Sequence, residues 1–169
     1  MEHLRQENLA VVRLTDEEFA YTDITDLRAK AIAYYRQTLQ GHPAHSAMLG
    51  EIRMERGFAD AADEQDIIFG NKGRKEIANK SAQASKLLAV KHLPDIIARS
   101  NFINASESTE EKHAGEQFYY LHSALESPQG RQYIITTVRQ ARDNQLYYHN
   151  HNVYSSDEYT RIAQKNNLL

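Results

Sequence analysis

Hydrophobic and polar positions alternate most regularly in the last third of the chain. Segments 117–125, 132–139 and 146–154 are runs of aromatic and β-branched residues, the composition of strands. Ser127-Pro128-Gln129-Gly130 separates the first pair and Ala141-Arg142-Asp143-Asn144 the second, so the spacing predicts a three-stranded antiparallel meander. Upstream the period becomes helical. Leu27, Ala31, Tyr34, Tyr35 and Leu39 predict a helix over about 26–40, with Thr25 as its N-cap and Gly41 and Pro43 as its stop. A second helical region covers about 73–99, with a restart at Ser81 and Pro94 opening its last turns. Asp66-Ile67-Ile68-Phe69 reads as a buried strand, Val11-Val12-Arg13-Leu14 as a short strand, and Ile52 and Met54 as a candidate edge strand. Segment 59–66 is acidic and reads as a surface loop or short helix, 104–116 reads as a loop, and residues 1–10 as a flexible tail. Helices first and strands last is an α+β order. The expected architecture is one domain over 11–169, with N-terminal helices packed on a C-terminal antiparallel sheet of about four strands.

Composition narrows the chemistry. The 169 residues include no cysteine, which excludes disulfides, thiol catalysis, zinc–thiolate sites and iron–sulfur clusters. Leu, Ile, Val and Phe make up about a fifth of the chain, just above the roughly 20% line below which disorder is expected. Ten tyrosines supply further core material. The 20 basic and 23 acidic residues leave a net charge of −3, so any nucleic-acid site is a local patch rather than a global field. No apolar run resembles a signal peptide or reaches the roughly 20 residues that span a bilayer. A soluble protein without membrane contact is expected.

Strand periodicity then assigns faces, because successive side chains point to opposite sides. Phe118, Tyr120 and His122 share one side of the first predicted strand; Tyr133, Ile135, Thr137 and Arg139 one side of the second; Tyr147, His149 and His151 one side of the third. With one face buried against helices, the other gathers His122, Thr137, Arg139, Tyr147 and His149. These are proton-transfer groups, hydroxyls and a fixed cation, the set that metal-independent phosphoryl chemistry needs. The bland alternative is a solvated sheet face, which is polar without any function, and one bulge would rephase the faces.

Other constellations are weaker. His42-x-x-His45 and His149-x-His151 have metal-like spacing without a carboxylate in a regular element, and no metal or cofactor is expected. Lys72, Arg74 and Lys75 surround Gly73 at a predicted helix start, a phosphate-binding arrangement whose plain reading is a solvated helix end. Gly70-x-x-Gly73 lacks nucleotide-loop spacing, and neither Gly-x-Ser-x-Gly nor His-Glu-x-x-His occurs.

Several stretches in order carry a resemblance. They are Val12-Arg13-Leu14-Thr15, Tyr34-Tyr35, Ile67-Ile68-Phe69-Gly70-Asn71-Lys72-Gly73-Arg74-Lys75, Leu93-Pro94-Asp95-Ile96-Ile97, Phe118-Tyr119-Tyr120-Leu121, Thr136-Thr137-Val138-Arg139 and Leu146-Tyr147-Tyr148-His149. Over roughly 11–154 the chain resembles a module of large phage polyvalent proteins and prophage toxins, within the barnase–EndoU–colicin–RelE-like nuclease superfamily. The resemblance implies a helix-then-sheet fold with its site on the open sheet face. It also implies metal-independent RNA cleavage by attack of the ribose 2′-OH. It places Lys75, Arg139, Tyr148 and His149 at motif positions, whereas strand phase selects Tyr147 rather than Tyr148. The expected catalytic set is His149, Arg139, His122, Lys75, Thr137 and Tyr148, with Lys72, Arg74, Tyr147 and Tyr120 binding substrate. The expected partners are RNA and, for a toxin delivered by a phage or a secretion system into a bacterial cytoplasm, an immunity protein. The alternative is a non-enzymatic phage- or secretion-associated binding module using the same sheet face. A nucleotide-using toxin such as an ADP-ribosyltransferase is disfavoured by the lack of a Gly-rich signal.

Overall fold

The computed structural model describes residues 9–15, 18–57, 66–80, 83–107, 114–128 and 130–165. The strands are β1 (Val11–Arg13), β2 (Ala44–His45), β3 (Asp66–Ile68), β4 (Asn101–Glu107), β5 (Gln117–Ser127), β6 (Gly130–Gln140) and β7 (Leu146–Tyr154). The helices are α1 (Ile24–Tyr34), α2 (Ala47–Glu55), α3 (Asn71–Lys80), α4 (Ala84–Leu88), α5 (Leu93–Arg99) and α6 (Ser156–Lys165). This is the expected α+β class, but the sheet has seven strands among the described residues rather than about four. Its order is β1-β5-β6-β7-β3-β2, with β4 sharing the outer edge of β5 with β1. β5, β6 and β7 form the expected meander, β1 and β3 join it in parallel, and β2 closes the far edge antiparallel to β3.

One face of this sheet carries the main core. Tyr119, Leu121 and Leu125 of β5, Ile134 and Val138 of β6, and Leu146 and Tyr148 of β7 are buried there. They meet Leu27, Ala31 and Tyr35 from α1 and the turn after it, Ile77 from α3, Leu87 and Leu88 from α4, and Ile96 and Ile97 from α5. Each such side chain contributes roughly 1.5–3 kcal/mol of transfer free energy. Five tyrosines, at 35, 119, 133, 148 and 159, are buried, which is how a chain poor in aliphatic residues fills its interior. α1 ends in a π-helical turn over Tyr35–Leu39, where Gln40 N donates to Tyr35 O at 2.9 Å. That turn holds the Tyr35 hydroxyl 2.7 Å from the Gly70 carbonyl, to which it donates.

Several expectations are corrected. Asp23, not Thr25, caps α1, accepting from Asp26 N. Ile52 and Met54 lie in helix α2 rather than a strand, because Ser46 accepts from Leu49 N as an N-cap and Leu49, Gly50 and Arg53 are buried at helical spacing. The expected loop over 104–116 begins as strand β4, whose residues pair with β5 across a register shift. The expected helix over 73–99 is three helices and a 3-10 turn, and Pro94 does open the last of them. Ser81, most of 59–66, and the tail up to residue 8 lie outside the described residues. Leu9 and Ala10 are held: Leu9 is buried and Ala10 O accepts from Ala124 N at 2.9 Å.

Gly73 is where α3 touches the sheet. A Cβ there would meet Tyr148 Cδ2 at 2.5 Å and the Tyr35 hydroxyl at 2.7 Å. Both rings are buried and cannot retreat. Gly73→Ala gains about 1 kcal/mol of helix propensity against an overpacking cost of about 1–3 kcal/mol or more. The variant is expected to unfold at lower urea than the wild type; a raised midpoint would show that the rings do yield.

Candidate functional site

The opposite face of the meander is organised in cross-strand rows. Phe118, Arg139 and Tyr147 stand side by side; then Tyr120, Thr137 and Asn150; then His122, Ile135 and Asn152; then Ala124, Tyr133 and Tyr154. The β6–β7 register shifts once: Thr137 pairs with Asn150 and Val138 with Tyr148, leaving His149 as the extra residue of a β-bulge. The His149 ring meets Phe118 edge-on, with centroids 5.4 Å apart, so His149 shares this face with Phe118. The bulge therefore presents His149 and Asn150 on one side and rephases the rest of β7. His151 goes to the helix side beside Tyr148, although strand phase had placed it with His149. The His149-x-His151 pair is thereby split between two faces and cannot chelate one ion.

Arg139 is 9% exposed and donates from Nη1 to Glu116 Oε1 at 3.1 Å. Its guanidinium also lies 4.8 Å from the Tyr147 ring centroid. A charge this buried needs such a partner. The sequence pattern alone puts Glu116 at the end of a loop. The signal was available: residue 116 has the parity of Phe118 and Tyr120, so extending the alternation by one step puts it on this face. The result is a cluster of carboxylate, guanidinium, imidazole and phenol, with the Thr137 hydroxyl in the next row.

Beside the cluster runs a groove of about 610 Å³ between β4 and α6. Tyr120, Thr137 and Asn150 lie in its floor, so it opens directly beside the bulge. α6 was absent from the sequence reading, yet Ser155 and Glu158 form a reciprocal capping box at its start: Ser155 N donates to Glu158 Oε1 at 3.1 Å and Glu158 N to Ser155 Oγ at 3.2 Å. α6 lays Tyr159 and Ala163 on Leu9, Ala124 and Tyr133, with Tyr159 stacked on Tyr133 at 4.3 Å.

Of the expected site residues, Arg139, Thr137, His149, Tyr147 and Tyr120 come together here. Tyr120 shares a 3.0 Å hydrogen bond with Ser106 of β4. His122 lies on the same face but is covered: it is 1% exposed and its Nδ1 bonds the Tyr159 hydroxyl. Tyr148 is on the helix side, donating to His151 Nδ1 at 2.6 Å while His151 Nε2 donates to Lys86 O at 2.8 Å. The strand-phase choice of Tyr147 over Tyr148 therefore describes the geometry. Lys72, Arg74 and Lys75 ride on α3, whose Gly73 abuts Tyr148, so they belong to the helical layer and not to the Arg139 face. His45 pairs with Asp66 at 3.1 Å on the surface.

Burial pushes the His122 imidazole down from 6.5 to about 4, and the His151 imidazole likewise to about 4. The unfolded chain takes up these protons near pH 6.5 and the folded chain only near 4. In that window the unfolded state binds more protons, so the stability is present above pH 6.5 and lost as pH falls toward 4. Each histidine is worth roughly 3 kcal/mol by this linkage, and two of them approach the whole stability of a typical domain. The urea midpoint is expected to drop steeply between pH 6.5 and 4, with a shallower slope in His151→Gln. An equal slope in that variant would show that His151 does not contribute.

A family model described as large polyvalent protein-associated domain 3 matches residues 22–148, more than half of the chain. The chain belongs to that family. The match takes in Glu116, Arg139 and Tyr147 and stops one residue short of the bulge. It agrees with the polyvalent-protein part of the resemblance and leaves the chemistry open. No curated protein and no solved structure matches the chain. No helix among the described residues is long and apolar enough to cross a membrane.

Proposed function

We propose that this domain is a metal-independent endoribonuclease whose site is the Glu116–Arg139–His149 cluster. The observation that carries the reading is the bulge at His149, which turns an imidazole onto the open face against Phe118, the cross-strand neighbour of the buried Arg139. The ribose 2′-oxygen attacks the phosphorus, the P–O5′ bond breaks, and a 2′,3′-cyclic phosphate remains. One group must remove the 2′-OH proton and another must protonate the departing 5′-oxygen. His149 takes one role. Glu116 takes the other in place of His122, which is sealed beneath α6. Arg139 stabilises the charge on the phosphorane, Tyr147 supports its guanidinium, and Thr137 orients the phosphodiester. Lys75 and Tyr148 take no part, being on the other layer. The setting is a phage- or secretion-delivered effector acting in a bacterial cytoplasm, with an immunity protein as its natural inhibitor.

One observation favours the binding-module reading: the Arg139 charge is already matched by Glu116 at 3.1 Å. The two separate in one assay. The purified protein is incubated with an end-labelled RNA oligonucleotide in excess EDTA. The expected result is cleavage to 2′,3′-cyclic phosphate ends, blocked by a 2′-deoxy substitution at the cleaved position. Intact RNA with folded protein favours the binding module.

A further inference from the structure

The groove beside the bulge is lined by carboxamides and rings that the proposed chemistry does not use. Asn104 of β4 and Asn150 and Asn152 of β7 face into it, with the Tyr120 and Tyr154 rings and Ile135 between them. Two carboxamides have assigned polarity. Asn152 Oδ1 accepts from Lys86 Nζ at 3.1 Å, so its NH2 is the donating end, shared with the Tyr154 hydroxyl beside it. Asn150 Oδ1 is a buried acceptor with no hydrogen-bond partner among the described residues. These two stand on one face, two residues apart on one strand, so two carboxamides line the groove about 6.6 Å from each other. Flat rings with a neutral donor and acceptor suit an uncharged, planar, hydrogen-bonding ligand; unpaired nucleobases are recognised in this way, by stacking and by their edges. Lys165 at the rim is a cation for a neighbouring phosphate.

We propose that this groove is the subsite for one unpaired ribonucleotide base of a single-stranded RNA, a ligand class that rests on the nuclease reading. The placement fits it. Thr137 lies in the groove and Arg139 follows two residues along β6, a step of about 6.6 Å, comparable with the span of one ribose between base and phosphate. A base held by Asn150 and Asn152 puts its phosphate against Arg139 and His149. Duplex RNA, with its base edges paired, is excluded.

The test is direct binding, independent of cleavage. The four ribonucleoside 3′-monophosphates and inorganic phosphate are titrated into the protein by calorimetry. At least one nucleotide is expected to bind more tightly than phosphate. Asn150→Ala should weaken it about tenfold, the loss of one hydrogen bond. Ile162→Trp, which fills the groove from α6, should abolish the preference over phosphate. The inference is overturned if no nucleotide outcompetes phosphate, or if a folded Ile162→Trp binds nucleotides like the wild type. Nucleotide binding by a protein that leaves RNA intact would instead sink the nuclease reading and keep the subsite.

Discussion

Arg53→Ala is expected to lower the free energy of unfolding by roughly 3–5 kcal/mol. Arg53 is fully buried. Its Nε donates to Gln140 Oε1 at 3.0 Å and its Nη2 to Asn144 O at 2.7 Å. The same Gln140 oxygen accepts from the Tyr119 hydroxyl at 2.7 Å. One side chain of α2 thus ties the end of β6 to the turn before β7, where Asn144 adopts a positive φ of 71°. Truncation strips a charged donor from the buried Gln140 carboxamide and another from the part-buried Asn144 carbonyl and leaves a cavity, and these penalties add. Arg53→Met keeps most of the volume and removes only the donors, so it should fall between wild type and alanine. Urea denaturation followed by circular dichroism measures both. A loss below about 1 kcal/mol in Arg53→Ala, the scale of an ordinary surface substitution, would mean that water replaces the guanidinium at no cost.

His149→Ala is expected to slow RNA cleavage by about 10²–10⁴-fold, the usual worth of a positioned acid or base, with little change in stability. Arg139 needs a more careful design. Arg139→Ala takes the guanidinium from the buried Glu116 carboxylate and is expected to cost roughly 3–5 kcal/mol of stability. Lost activity in that variant is therefore ambiguous. Adding Glu116→Gln removes that buried charge and should recover much of the stability, and because Glu116 is itself a proposed proton-transfer group the contribution of Arg139 is read against Glu116→Gln alone. Single-turnover rates on folded His149→Ala and on the double variant give the reading. Wild-type rates in His149→Ala would remove the imidazole from the mechanism.

The meander and its two faces were legible because aromatic and β-branched residues alternate without interruption along β5 and β6. The phase held on β7 as far as His149. Beyond it the only trace of the bulge is that two core residues, Tyr148 and His151, stand three apart, and the second is a histidine that reads as polar. α2 was hidden for a similar reason: the residue completing its buried stripe after Leu49 is Arg53. β4 is short of buried side chains and breaks register between Phe102 and Asn104, so its alternation is faint. The cations around Gly73 illustrate the opposite error. Their spacing suits a phosphate, but which layer carries them depends on the contact of Gly73 with Tyr148, a distance no local pattern contains.

The bulge has a consequence for how such a domain gains or loses its chemistry. Because His149 is the extra residue of the bulge between Tyr148 and Asn150, excising it leaves Val138 opposite Tyr148 and Thr137 opposite Asn150, with an unbroken ladder and an unchanged core. Fold and site are separable by a single codon. Under the proposed nuclease reading, one in-frame deletion silences the domain and keeps a stable scaffold, and one insertion at the same place restores the imidazole.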